Sequence, residues 1–219
     1  MTHKTQPKIL RIGQNEEWLS RGFYKKNFPQ FLKEDLKIRN FLIKKFSKTT
    51  IENVDIERRT NFLKILIRTA RPAFIIGRSG DEVKKLKKEI QNLIGQTKDK
   101  SEKKDIKIEI ITIKDPWSSA SLISQWVASQ IEKRTPYRRA LKMAIDKVMA
   151  SKEIKGIKIL ASGRLNGVSI SRHEWLQQGN LPRQTLRGLI DYGFTEAHCS
   201  YGVIGIKVWI YKGEELKEE

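Results

Sequence analysis

Ile75-Ile76-Gly77-Arg78-Ser79-Gly80-Asp81-Glu82-Val83 decides how this chain is read. Its two glycines let the backbone turn tightly and approach another chain closely. An apolar half-helix over residues 73–76 leads in. An amphipathic helix leads out, with Val83, Leu86, Ile90, Leu93 and Ile94 on one face. Asp81 and Glu82 in its first turn complement the positive end of the helix dipole, and Gly95 is the expected stop. Amides at such a helix start face outwards with partial positive charge, a surface that suits a sugar-phosphate backbone. The Gly-x-x-Gly spacing alone also fits an ordinary helix–helix turn, so the flanking elements and the charge of the chain carry the reading.

Upstream, residues 31–46 predict a helix in which Ile38, Leu42 and Phe46 recur every four positions, with Leu36 and Ile43 beside them. Val54 and Ile56, then Leu63, Ile65 and Ile67, alternate with charged neighbours and predict two strands joined near Thr60-Asn61. Before these, residues 1–30 read as a basic, aromatic extension without periodicity. Downstream, a polar stretch over residues 96–105 leads to a strand carrying Ile106, Ile108 and Ile110. Asp115-Pro116 marks a domain junction. Ser118-Ser119 is placed to cap a helix bearing Leu122, Trp126, Val127 and Ile131. Thr135-Pro136 reads as an N-cap with proline at the first helical position. The helix it opens buries Tyr137, Leu141, Ala144, Ile145 and Val148. Strand signals follow at 157–161, 168–170, 186–192 and 204–210, and residues 214–219 form a short acidic tail. The expected fold class is α+β: a first domain over 31–115, then a second over 116–213 with two helices packed on a mostly antiparallel sheet.

Charge supplies the partner. The 219 residues include 44 lysines and arginines against 25 acidic side chains, a net charge of +19. Such an excess repels itself unless a polyanion or a membrane surface neutralises it, and nucleic acid is the commonest such partner. No apolar run reaches the roughly 18 residues needed to span a bilayer, and the first residues lack the apolar core of a signal peptide. Cys199 is the single cysteine, which excludes an internal disulfide and fits a reducing compartment.

Ile56-Glu57-Arg58, Thr69-Ala70-Arg71-Pro72, Ile75 to Gly80 and Val83-Lys84-Lys85-Leu86 together resemble the type II KH domain of the third protein of the small ribosomal subunit, bacterial type. Ser162-Gly163-Arg164-Leu165, Gly179-Asn180-Leu181-Pro182, Asp191-Tyr192, Ala197-His198 and the closing run 201–210 follow the same family in order. The resemblance spans residues 8–213, and its C-terminal motifs are far more specific than Gly-x-x-Gly. Departures are Thr2-His3-Lys4 at the start, Ala73 in place of a glycine, a single cation (Arg78) beside Ser79 in the loop, and a longer charged stretch at 96–105.

The resemblance implies a structural, non-enzymatic protein with an N-terminal type II KH domain, cytoplasmic and ribosome-bound. Its implied partners are small-subunit rRNA, mRNA and neighbouring proteins of the subunit head, with no membrane contact, no cofactor and no homo-oligomer. Gly77, Arg78, Ser79 and Gly80 would form an RNA-clamping loop. Arg138, Arg139 and Lys142 would line the channel through which mRNA enters, gripping phosphates without reading bases and helping to part structured message. Arg138 and Lys142 share a helix face and Arg139 lies just beyond, while Lys133 and Arg134 add charge at the preceding turn. Lys4, Lys8, Arg11, Arg21, Arg71, Arg164, Arg172, Arg183 and Arg187 would contact rRNA. Trp175 and Trp209 read as core or interface aromatics.

Catalysis has little support in these residues. His3, His173 and His198 show no metal spacing with Cys199, and no Walker-type Gly-Lys-Ser/Thr loop is present. Two other classes stay open at this point. A free RNA-binding regulator could use the same module, and a nuclease or base-excision lyase would need clustered carboxylates or an activated lysine.

Overall fold

In the computed structural model, which describes residues 6–13, 17–22, 28–46, 51–59, 62–95 and 105–214, the chain divides into two compact units. One runs from Trp18 to Lys114. The other joins Met1–Glu17 to Asp115–Glu219, so the first unit is inserted into the second.

The inserted unit is built on four strands, β1 (Ser20–Gly22), β2 (Ile51–Arg58), β3 (Phe62–Thr69) and β4 (Asp105–Thr112), in that spatial order. β2 and β3 are antiparallel, whereas β1 and β4 add in parallel at either side. Alternation puts Val54, Ile56, Leu63, Ile65 and Ile67 in the core. Against them pack α1 (Phe28–Lys45) through Ile38 and Leu42, and α3 (Asp81–Gly95) through Leu86 and Ile90. The short α2 (Pro72–Ile76) contributes Ile75 and carries proline in its first turn, where a missing N–H costs nothing. Leu36 and Ile43, which the four-residue recurrence placed beside the core stripe, are 57% and 56% exposed. Glu34 and Asp35 take their place inside, both buried and paired with Arg58, because a buried cation needs its counter-charges there too.

In the other unit, α4 (Ala120–Glu132) and α5 (Tyr137–Met149) cover one face of an antiparallel sheet. Its strands are β5 (Gly156–Gly163), β6 (Arg172–Gly179), β7 (Gly188–Cys199) and β8 (Gly202–Glu214), in the order β6-β5-β8-β7. Ile157, Ile159, Ile206, Val208 and Ile210 face the helices and are fully buried. Ser119 precedes α4, but its hydroxyl makes no capping bond; the Ala120 amide donates instead to the Asp191 carboxylate of β7 at 2.7 Å. Burial pushes the Asp191 carboxyl up, yet Lys8 at 2.7 Å and that amide outweigh it and hold the group below its ordinary value.

Two strand expectations change. Val168 and Ile170 do not form a strand: a tight turn over Leu165–Gly167 precedes them and Ile170 is 77% exposed, while the strand begins at Arg172. The segment expected at 186–192 begins at Gly188 and runs on to Cys199, pairing with β8 along its length. Residues 1–30 also do not behave as one extension. Their described part divides between the two units, with Arg11 buried in one and Ser20–Gly22 a strand of the other. The turn at Thr60-Asn61, the 96–104 stretch and the tail after Glu214 lie outside the described residues.

Candidate nucleic-acid interface

In the inserted unit, the loop between α2 and α3 has the geometry its glycines require. Gly77 and Gly80 have φ of 70° and 76°, the left-handed region that L side chains rarely adopt. A Cβ at Gly77 would also lie 2.6 Å from Cγ of Glu82. Arg78 is exposed between them in a single 3-10 turn, Arg78–Gly80, in which the Asp81 amide donates to the Arg78 carbonyl, and α3 starts immediately afterwards. Exposed Phe74 and Ile76 on α2 flank the loop.

In the other unit, the basic helix face is α5. Leu141, Ala144, Ile145 and Val148 anchor it in the core, and Arg138, Arg139 and Lys142 point to solvent. Thr135 does not cap α5. Its hydroxyl turns back toward the Gln130 side chain, and Pro136 takes the N-cap position without a side-chain bond. The backbone explains why: α4 closes with the Thr135 amide donating to the Gln130 carbonyl and the Arg134 amide to the Ile131 carbonyl. This pair of bonds is a Schellman closure, whose left-handed residue is usually glycine. Here it is Arg134, at φ 63°. Arg134→Gly should therefore raise the unfolding free energy by about 1 kcal/mol while removing a cation, an outcome that denaturant titration reads directly.

The three cations are not equivalent. Arg138 donates twice to the Glu174 carboxylate of β6, both bonds at 3.1 Å. Hydrogen bonds from Arg138 and Tyr137 hold Glu174 below the usual carboxylate range. At this exposure the pair adds little stability; its effect is to fix the guanidinium against the sheet. Arg139 and Lys142 have no hydrogen-bond or ion-pair partner among the described residues. Sequence reasoning missed Glu174, since nothing in His173-Glu174-Trp175 signals a bond across 36 residues.

The expected rRNA contacts separate by environment. Arg11 is 1% exposed and spends its guanidinium on the carbonyls of Pro7, Arg183, Thr185 and Gly188, so it is a structural arginine. Lys8 is paired with Asp191. Arg164 is exposed but tied to the carbonyls of Val168 and Tyr201. Arg21, Arg71, Arg172 and Arg187 are exposed, and Arg183 lies half-buried over the Trp209 ring. Lys4 is outside the described residues. Among the described residues, no group of His, Cys, Asp and Glu is placed to hold a metal ion, and no helix is long and apolar enough to cross a membrane.

A Gly-x-x-Gly loop between two helices on a mixed sheet defines a KH-type nucleic-acid-binding protein, and the sequence model of the KH domain matches residues 37–118. A second family model, ribosomal protein S3, C-terminal domain, matches residues 127–210. Curated relatives extend the match end to end. The small ribosomal subunit protein uS3 of Carboxydothermus hydrogenoformans is 45% identical over 219 residues, covering 100% of this chain and 95% of that protein. That of Desulfitobacterium hafniense is 43% identical, covering 99% of this chain and 94% of its own length. The Lawsonia intracellularis protein is 42% identical, covering 100% and 99%. The chain belongs to the uS3 family of small ribosomal subunit proteins. Its relatives are named for a place in a ribosomal subunit and not for a reaction, and the protein is not an enzyme.

Proposed function

We propose that this protein is an rRNA-bound structural constituent of the small ribosomal subunit head, and that α5 lines the channel by which mRNA enters. Family membership supports the first part, and the charge of +19 supports a polyanionic partner. The observation that carries the second part is the α5 face, where Arg139 and Lys142 stand exposed and Arg138 is fixed by Glu174 on a helix rigidly seated in a core. Fixed cations of this kind hold phosphates whatever the base, so message can slide. A narrow cationic channel admits single strands and refuses duplex. The work of unwinding then comes from translocation of the ribosome, since the sequence carries no Walker-type Gly-Lys-Ser/Thr motif.

In this reading Arg21, Arg71, Arg164, Arg172, Arg183 and Arg187 contact rRNA phosphates, and Gly77 to Gly80 offer a second RNA-facing surface. Neighbouring head proteins complete the surroundings, in the cytoplasm and without self-association.

Replacing Arg138, Arg139 and Lys142 together by Ala is expected to slow translation of hairpin-containing message several-fold while unstructured message is translated at the normal rate and subunits still assemble. A paired reporter assay with purified ribosomes makes the comparison. Equal rates on both messages remove the channel assignment. The rival reading, a free RNA-binding regulator, predicts that a large share of the chain sediments apart from the small subunit; the present one places it with the subunit until high salt releases it.

A further inference from the structure

The solvent side of the C-terminal sheet carries chemistry that the channel and the KH loop leave unused. Helices cover one face of this sheet; on the other, alternating residues of four strands form a lattice. Trp209 is the register partner of both Lys158 and Tyr192. In the adjacent row Leu160 faces Trp175 on one side and Lys207 on the other, and Lys207 faces Phe194. Four aromatic rings thus interleave with two lysines. Together they line an open cleft of about 1600 Å³.

Two properties say what would fill it. First, large rings are left in water: Trp175 is 53% and Phe194 50% exposed, although burying such rings is strongly favourable. Lys158 lies 4.0 Å from the Trp175 ring centroid, and the Tyr192 and Trp209 rings are 5.5 Å apart. Second, among the described residues no carboxylate lines the cleft; its other ionisable side chains there, besides Tyr192, are Arg172, His173 and Arg183. The carboxylate on this face, Glu196, stands a further row along, opposite Gly205. A protein covering this face would bury several cations and would have to bring the matching acids itself. Single-stranded RNA brings a negative charge with each nucleotide and a flat base for each ring.

The geometry points to a further RNA site, distinct from α5 and the Gly77–Gly80 loop: a platform for unpaired rRNA nucleotides, with bases stacked on Trp175 and Phe194 and phosphates held by Lys158 and Lys207. Other four-stranded sheets with exposed aromatics stack two or three bases in this manner. The site goes beyond the channel reading and does not depend on it. It also gives Trp175 a role other than core or interface packing.

The test uses the full chain with a single-stranded oligonucleotide containing 4-thiouridine, and a duplex of the same sequence. After irradiation, adducts mapped by mass spectrometry are expected on Trp175 and Phe194. Trp175→Ala should weaken single-strand binding roughly 10-fold and leave duplex binding unchanged, and Trp175→Phe should restore most of the loss. Trp175 is half exposed, so the substitution leaves the core intact. Adducts confined to the Gly77–Gly80 loop and α5, or equal effects on single strand and duplex, overturn the proposal. So does cross-linking of Lys158 or Lys207 to another protein in assembled subunits without an RNA adduct on this face. None of these outcomes alters co-sedimentation with the small subunit, which tests the family reading separately.

Discussion

Replacing Arg58 by Ala is expected to destabilise the inserted unit by about 3–5 kcal/mol, the usual cost of stranding a buried charge. The Arg58 side chain is 7% exposed, and those of Glu34 and Asp35 are each 1% exposed. Its Nε donates to Asp35 and Nη1 to Glu34, both at 2.8 Å, while the guanidinium lies 5.0 Å from the Phe31 ring centroid. Asp35 also accepts from the Ser20 hydroxyl at 3.1 Å, which ties β1 to α1 and β2. Without the cation, two adjacent carboxylates remain in a dry interior. Hydrogen exchange of β2 and β3 amides measures the loss within this unit alone. Arg58→Met should be nearly as damaging as Ala. The triple change Arg58→Met, Glu34→Leu, Asp35→Leu should recover most of the stability, because the lost counter-charge matters more than the lost volume. Similar instability in the triple variant would show that packing, not charge, dominates.

Arg11→Ala is expected to cost the C-terminal unit about 3 kcal/mol, since four backbone carbonyls lose a charged donor in a buried setting. Two of the shortest bonds reach Gly188 at 2.7 Å and Thr185 at 2.8 Å, the residues that lead into β7. Four of the five tryptophans, 117, 126, 175 and 209, belong to this unit, so their fluorescence follows its unfolding. Binding of the purified, still-folded variant to rRNA should be close to normal. A selective loss of RNA affinity with unchanged stability would return Arg11 to the set of direct contacts.

The elements that periodicity defines were readable from residues alone. The strands of Val54/Ile56 and Leu63/Ile65/Ile67, the helix from Asp81 to Gly95 and the helix after Pro136 each repeat at the spacing of their geometry. Each buries the expected stripe except the Asp81–Gly95 helix, where Leu86 and Ile90 are buried and Val83, Leu93 and Ile94 half-buried. Most of what escaped reading was set by contacts remote in sequence, and one segment by a local turn. Leu36 and Ile43 have helical spacing, but the inward face of α1 is taken by Glu34 and Asp35 for the sake of Arg58. Val168 and Ile170 look like a strand, but Asn166 at φ 55° and Gly167 at φ 78° keep the chain turning there. The exposure of Arg138, Arg139 and Lys142 followed from the opposite stripe on α5; the bond of Arg138 to Glu174 did not. Arg11 was read as a surface cation because three of the four carbonyls it satisfies, those of Arg183, Thr185 and Gly188, lie more than 170 residues further on.

That separation has a consequence for how the chain is made. Arg11 and Gly188 are 177 positions apart, and the whole KH unit is threaded between them. At a synthesis rate of about 5–20 residues per second, the first segment waits roughly 10–35 s for its acceptors to emerge. The KH unit has by then left the ribosome with every strand it needs, so it can complete first. Closure of the later unit around the beginning of the chain is thus a finishing step, and a nascent chain arrested before β7 would hold a finished KH unit and an unanchored start.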